Sequence, residues 1–294
     1  MQPLTCYACS RDDAESIPPE LIEELGLSFY AAHTEASAMA RVAIRRMQLA
    51  GDVVCRVPFC VTVEAEALGA RIKVPDDEGG PRCSEYRFQR MEELSGLQPM
   101  DLTRGRIATV LDSLPLLHGQ GGVATLNVEG PFTILSFLID SATLFRGLIS
   151  HRPILEQALA LIEASLVRYI REGIRRGAGI ISYADPTGAL EIFGPKLYRE
   201  VVGASTYRIL RELEKDSDRA LIHLCGQKSR SLEKVGLCTA QSVPAPAGMT
   251  YGDSLCHFVQ AKTPAFLGHN CMKSSNLALN RPTLWQIRLK EERS

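Results

Sequence analysis

No window of this sequence approaches the roughly 18 consecutive apolar residues that a membrane span requires. Its opening stretch, MQPLTCYACSRDD, has no basic region followed by an apolar core. Neither a membrane anchor nor an export signal is expected, and the reading is a soluble, cytoplasmic protein. A basic stripe is also missing: lysines and arginines are spread along a chain of formal net charge −1, which leaves no footprint for a phosphate backbone and makes nucleic acid an unexpected partner. No internal repeat, low-complexity tract or linker divides the 294 residues, and a 45% hydrophobic content supports a sizeable core. One domain over 1–294 is expected.

Nine cysteines are present, an odd number that argues for reduced thiols or metal ligands over a disulfide framework in a long chain without an export signal. Short β-branched runs alternate with longer helical patterns, the signature of βα units around a parallel sheet. Strands are predicted at 3–8, 52–59, 122–130, 179–186, 220–226, 236–243 and 264–270. The clearest helix spans 150–177, with Ser150 as cap, Pro153 in the first turn and Gly177 as stop. Its Leu155, Leu159, Ile162, Leu166, Ile170 and Ile174 form one apolar stripe. Further helices are predicted over 34–50 and 194–218. Two stretches rich in turn residues, 73–85 and 242–254, are expected to be irregular loops over a site.

The run ALIHLCGQ, 220–227, places an imidazole and a thiol two positions apart. On a strand, His223 and Cys225 share a face with Leu221, while Ile222 and Leu224 face the other way. At the carboxyl end of a barrel strand such a pair opens into the site mouth, where nitrogen and sulfur suit zinc. Spacing alone leaves open a buried cysteine beside a hydrogen-bonded histidine. Asp185 in SYADPTG reads either as a group that orients a ligand histidine or contacts substrate, or as a turn former before Pro186. Glu64, after the second predicted strand, and Glu129, at the end of the third, read as carboxylates that could touch zinc or as surface or structural groups. Tyr183 reads as barrel filling, and His257 and His269 as structural histidines with a weaker metal reading. CYAC at 6–9 lacks a thioredoxin-like context, and GQGG at 119–122 precedes a strand and is read as a turn.

The stretches RVPFCVTVEAEALGA (56–70), EGPFT (129–133), SYADPTG (182–188) and HLCG (223–226), in that order, resemble the uroporphyrinogen decarboxylase superfamily. Within it they resemble the zinc-dependent methylcobamide:coenzyme M methyltransferase branch. The resemblance runs from residue 3 to about 280. It implies a (β/α)8 TIM barrel with its site at the carboxyl face. It also implies zinc held by the His-x-Cys pair and a distant cysteine, a methylcorrinoid donor carried by a corrinoid protein, and a small thiol acceptor. Glu64, Glu129 and Asp185 are the catalytic candidates. The decarboxylases hold their tetrapyrrole with an arginine-rich N-terminal segment and a key aspartate; here the segment is acidic and Cys60 stands at the aspartate position. The family's usual third ligand lies near an eighth strand, whereas CMKSSNLALNRPTLWQIRLKEERS follows FLGHN directly. An eighth strand missing or modified is therefore expected, with Cys271 as the substitute third ligand and Cys238 next. Such a barrel is compatible with a homo-oligomer whose neighbouring copy completes it. The alternatives are a catalytically impaired corrinoid- or tetrapyrrole-binding accessory protein, and a uroporphyrinogen decarboxylase.

Overall fold

The computed structural model describes residues 16–262 and 266–291. The strand expected at 3–8 and the CYAC pair lie outside the described residues. Three helices come first: α1 (Pro19–Leu25), α2 (Phe29–Thr34) and α3 (Ala36–Ala50), the last closed by Gly51 at φ 59°, a left-handed turn that glycine takes without strain. Strand β1 (Val54–Val57) leads to a short helix α4 (Val63–Ala67). Strands β2 (Arg71–Lys73) and β3 (Arg82–Glu85) then pair antiparallel in a separate two-stranded ribbon. Part of the 73–85 stretch expected to be irregular is thus strand, with only the Asp/Gly/Pro turn between the two arms left irregular.

Helix α5 (Gly105–Ser113) precedes β4 (Val123–Glu129), which is followed by α6 (Pro131–Leu138), α7 (Ser141–Ser150) and α8 (Arg152–Arg175). The predicted stripe on α8 is buried throughout: Leu155, Leu159, Ile162, Leu166 and Ile170 have no exposed surface. Each such side chain contributes roughly 1.5–3 kcal/mol of transfer free energy. Ser150, expected as the cap, instead ends α7; the N-cap of α8 is His151, because Asp140 caps a separate preceding helix with two N–H acceptor contacts. Next come β5 (Ile180–Ala184), α9 (Leu190–Leu197), α10 (Gly203–Leu213), β6 (Leu221–Leu224) and α11 (Gly226–Lys234). The chain continues through β7 (Cys238–Pro244), α12 (Tyr251–Gln260), β8 (Phe266–Gly268) and β9 (Thr283–Leu289).

The main sheet runs β1-β4-β5-β6-β8-β9-β7. Five strands, β1, β4, β5, β6 and β8, are parallel and follow the expected alternation with helices. The C-terminal end is modified, as the missing eighth strand suggested, and the modification is specific. β6 pairs directly with β8; β9 runs antiparallel to β8, and β7 pairs antiparallel with β9 at the sheet edge. The predicted strand at 236–243 therefore exists but does not lie between its chain neighbours. The loop expected over 242–254 is irregular only between β7 and α12, where a Thr250–Asp253 capping box starts the helix.

Alternation along the strands gives the sheet two faces. Cys55, Val57, Leu126, Val128, Ile181, Tyr183, Ile222 and Leu224 join the large core built with α3, α8 and α10. Val54, Ile180, Leu221 and Leu267 face the other way, and Tyr251, Leu255 and Cys256 of α12 pack over them with Met272. Among the described residues, no helix is long and apolar enough to cross a membrane.

Candidate functional site

Strand β6 is an unbroken buried run, Leu221–Leu224, flanked on both sides by parallel strands; such central strands are apolar on both faces. His223 interrupts that rule. Its side chain has no exposed surface, and neither ring nitrogen has a hydrogen bond of normal geometry among the described residues. Burial pulls the imidazole down to about 4, while the Asn270 backbone pulls the other way. The ring is therefore neutral near pH 7, the form that offers a lone pair to a metal. Tyr251 of α12 covers it edge-to-face, with ring centroids 5.9 Å apart.

Cys225 lies one residue beyond the strand. Its N–H donates to the Tyr183 carbonyl at 2.9 Å, which carries the ladder one step further, and it then stands at the N-cap of α11. The next residue, Gly226, is in backbone contact with the end of β8: a Cβ there would lie 3.0 Å from the His269 carbonyl oxygen. Cys271 follows at once on that segment and lines, with Gly226, Gln227, Arg230, His269 and Asn270, a cavity of about 340 Å³. The packing of 226 against 269–270 brings the segments that carry Cys225 and Cys271 side by side, while neither His223 nor Cys225 lines that cavity.

His269 holds that turn. Its backbone is left-handed at φ 68°; its N–H donates to Ser229 Oγ at 2.8 Å, its Nδ1 lies 3.0 Å from the same oxygen, and its Nε2 lies 3.0 Å from Glu233. Both ring nitrogens are engaged, in keeping with the structural reading. His257 is exposed on α12 against Phe258. Cys238 is buried at the start of the edge strand, with its thiol pushed up to about 12 by burial, so it stays protonated near neutral pH.

The three carboxylates separate. Asp185 is buried and fully engaged: one oxygen accepts from the Thr133 N–H (2.8 Å) and hydroxyl (2.9 Å), and the other is 3.2 Å from Lys228 Nζ. No contact joins it to His223 among the described residues, and its partners are those of a turn and helix anchor. Glu64 sits on α4 and accepts the Glu129 N–H at 3.0 Å, which brings these two residues together. Burial raises the Glu64 carboxyl to about 7 against the pull of that N–H and of Arg106. Its other oxygen and the Tyr169 hydroxyl lack partners among the described residues. Cys60 accepts from the buried Arg106 Nη1 at 3.2 Å; Arg106 also donates to Thr62 (2.8 Å) and pairs with Glu66. Sequence reasoning missed Arg106 and Lys228. Lys228 falls three residues after Cys225, one turn into a helix, where an inward-facing lysine leaves no motif.

Imidazole and thiolate donors suit zinc, and the two orphaned nitrogens of His223 are the kind of buried polar atom a metal satisfies. The donor set is not assembled, however: among the described residues no three His, Cys, Asp or Glu side chains stand together closely enough to hold a metal ion. His223 and Cys225 supply an imidazole and a thiol at neighbouring positions of one chain segment, the end of β6 and the cap of α11.

The chain matches the family described as Uroporphyrinogen decarboxylase (URO-D) over residues 7–245. It is 26% identical over 222 residues to Methylcobamide:CoM methyltransferase MtaA of Methanosarcina barkeri, covering 74% of this chain and 65% of that protein. It is 26% identical over 216 residues to Methylcobamide:CoM methyltransferase MtbA of Methanosarcina mazei, covering 72% and 63%. The chain thus spans just under two thirds of the length of these relatives. A solved structure, a methyltransferase from Methanosarcina mazei, shares the fold with a TM-score of 0.63 at 24% identity, over 76% of this chain and 67% of that one.

Proposed function

The chain belongs to the uroporphyrinogen decarboxylase (URO-D) family, and from that premise we propose that it moves a methyl group from a methylcorrinoid, presented by a corrinoid protein, to a small thiol. The observation that carries the reading is His223: a fully buried, neutral imidazole whose ring nitrogens make no hydrogen bond of normal geometry, on the strand that delivers Cys225 to the sheet's carboxyl end. Relatives named for methylcobamide:CoM methyl transfer support it. An unsatisfied buried acceptor nitrogen costs about 1–3 kcal/mol, which a ligand bound at that nitrogen recovers.

Zinc is the proposed ligand, with His223 and Cys225 as donors and Cys271 as the third; bound there, it would lower the pKa of an acceptor thiol and hold its sulfur. The chain's own residues do the rest. His223 presents a neutral ring because burial removes its proton, and Tyr251 excludes water from it. Cys225 is held at the start of α11 by its N–H bond to Tyr183. Glu64, Glu129 and Asp185 stay as the proposed polar supports, Asp185 through Lys228. The reduced thiols fit a cytoplasmic setting.

The test is zinc content of purified wild type beside His223→Ala, Cys225→Ala and Cys271→Ala, followed by methyl transfer from free methylcobalamin to a thiol. About one zinc per chain, lost in all three variants, is expected. A zinc-free wild type without methyl transfer would instead favour the accessory binding role.

A further inference from the structure

Lysine is almost never buried without a partner, yet the Lys228 side chain is 2% exposed and that of Asp185 not at all. The pair lies on the large-core side of the sheet, opposite His223. Lys228 Nζ sits 3.2 Å from Asp185 Oδ2, donates to the Gly188 carbonyl at 2.8 Å, and lies over the Tyr198 ring at 5.2 Å. Asp185 in turn is locked to the start of α6 through Thr133. The surroundings are fitted to the carboxylate: a Cβ on Gly130 would lie 2.4 Å from Asp185 Cβ, and one on Gly188 would lie 2.3 Å from Oδ2. An apolar pair would hold this space with less desolvation, so burying charge here gives direction more than stability.

What the pair directs is the first turn of α11. Lys228 lies three residues after Cys225, so the tether from β5 ends one helical turn from the thiol. On the opposite side Ser229 binds the His269 turn. We infer that Lys228 is a positioning residue: by tying the first turn of α11 to Asp185 and Gly188, it fixes the placement of the Cys225 thiol at the cap of that helix. The inference rests on the reading of His223 and Cys225 as a metal grip, and its test does not need the metal.

The experiment compares wild type with Lys228→Met, Asp185→Asn and the double variant Asp185→Asn/Lys228→Met. Three quantities are read: melting temperature, the site-resolved iodoacetamide alkylation rate of Cys225 against Cys83 by mass spectrometry of metal-free protein, and zinc affinity by chelator competition. Lys228→Met is expected to speed Cys225 alkylation several-fold with Cys83 unchanged, and to weaken zinc binding about 10–100-fold, as loss of a supporting contact does. In the double variant no charge is left unpaired, so the melting temperature returns toward wild type while Cys225 stays fast. That variant decides the question if Lys228→Met alone fails to fold. A Cys225 rate that returns to wild type along with the melting temperature would overturn the inference, and so would a Cys225 rate unchanged in every variant. A wild type that binds no zinc, with Cys225 still released in the double variant, sinks the metal reading and leaves the positioning role standing.

Discussion

Asp185 at the end of β5 and His223 within β6 are buried polar groups on adjacent, hydrogen-bonded strands, and they are treated in opposite ways. Asp185 faces the large core and has both oxygens engaged, by Thr133 and by Lys228. His223 faces the α12 side and has neither nitrogen satisfied. Native structures satisfy nearly all their buried polar atoms, so a saturated group is part of the scaffold and an orphaned one marks a place for something else. The contrast sets apart two buried polar groups that the sequence motifs had grouped together, and it makes His223 the one whose environment has room for a further partner.

The largest effect that would sharpen this contrast is on the saturated side. Lys228→Met should destabilise the protein by about 3–5 kcal/mol in urea unfolding, because it strands a buried carboxylate, and adding Asp185→Asn should restore most of the loss. Equal losses in the single and double variants would mean that the pair is mere packing.

Next comes Glu64, orphaned at one oxygen and raised by burial from 4.5 to about 7. The folded protein holds this proton more tightly than the unfolded chain, so the associated stability is complete below pH 4.5 and is lost as the pH rises through about 7. Glu64→Gln should therefore match wild type near pH 4.5 and exceed it near pH 8 by on the order of 3 kcal/mol. The buried imidazoles His223 and His33, both lowered to about 4, act in the other sense and cost stability as the pH falls from 6.5 toward 4. Denaturant melts across this range, taken as the difference between variant and wild type, isolate the glutamate.

A smaller effect is expected at His223 itself. His223→Leu removes a polar group whose ring nitrogens make no hydrogen bond of normal geometry, so the stability of metal-free protein should stay within about 1 kcal/mol of wild type. A loss of several kcal/mol would show that the imidazole is part of the framework after all. The smallest effect belongs to Arg71–Glu85 across the β2–β3 ribbon, where both side chains are more than half exposed. Arg71→Ala should shift stability by under about 0.5 kcal/mol, and less in high salt.

Much of this was legible in the chain. The stripe Leu155 to Ile174 required a helix packed on one face, and ALIHLCG required a strand that turns at Gly226; both hold. The placement of 236–243 was not legible, because a β-branched run records that it pairs but not with which strand, and here its partner, Thr283–Leu289, lies far along the chain, past α12 and β8. Capping at 150 misled because Ser150 and His151 separate two helices where one periodic pattern ran on. At the site, alternation placed His223 on the face of Leu221, while Cys225 falls beyond the strand at the cap of α11. Asp185 did not follow, since what decides its role is a lysine from another element.

The contact at Gly226 carries one more consequence. The segments bearing Cys225 and Cys271 meet backbone to backbone, at a distance where a single added methyl would have to displace its neighbour by a few tenths of an ångström. The separation of these two segments is thus gauged by the absence of a side chain. Gly226→Ala would be a graded adjustment, a way to move the two cysteine-bearing segments apart without altering either cysteine.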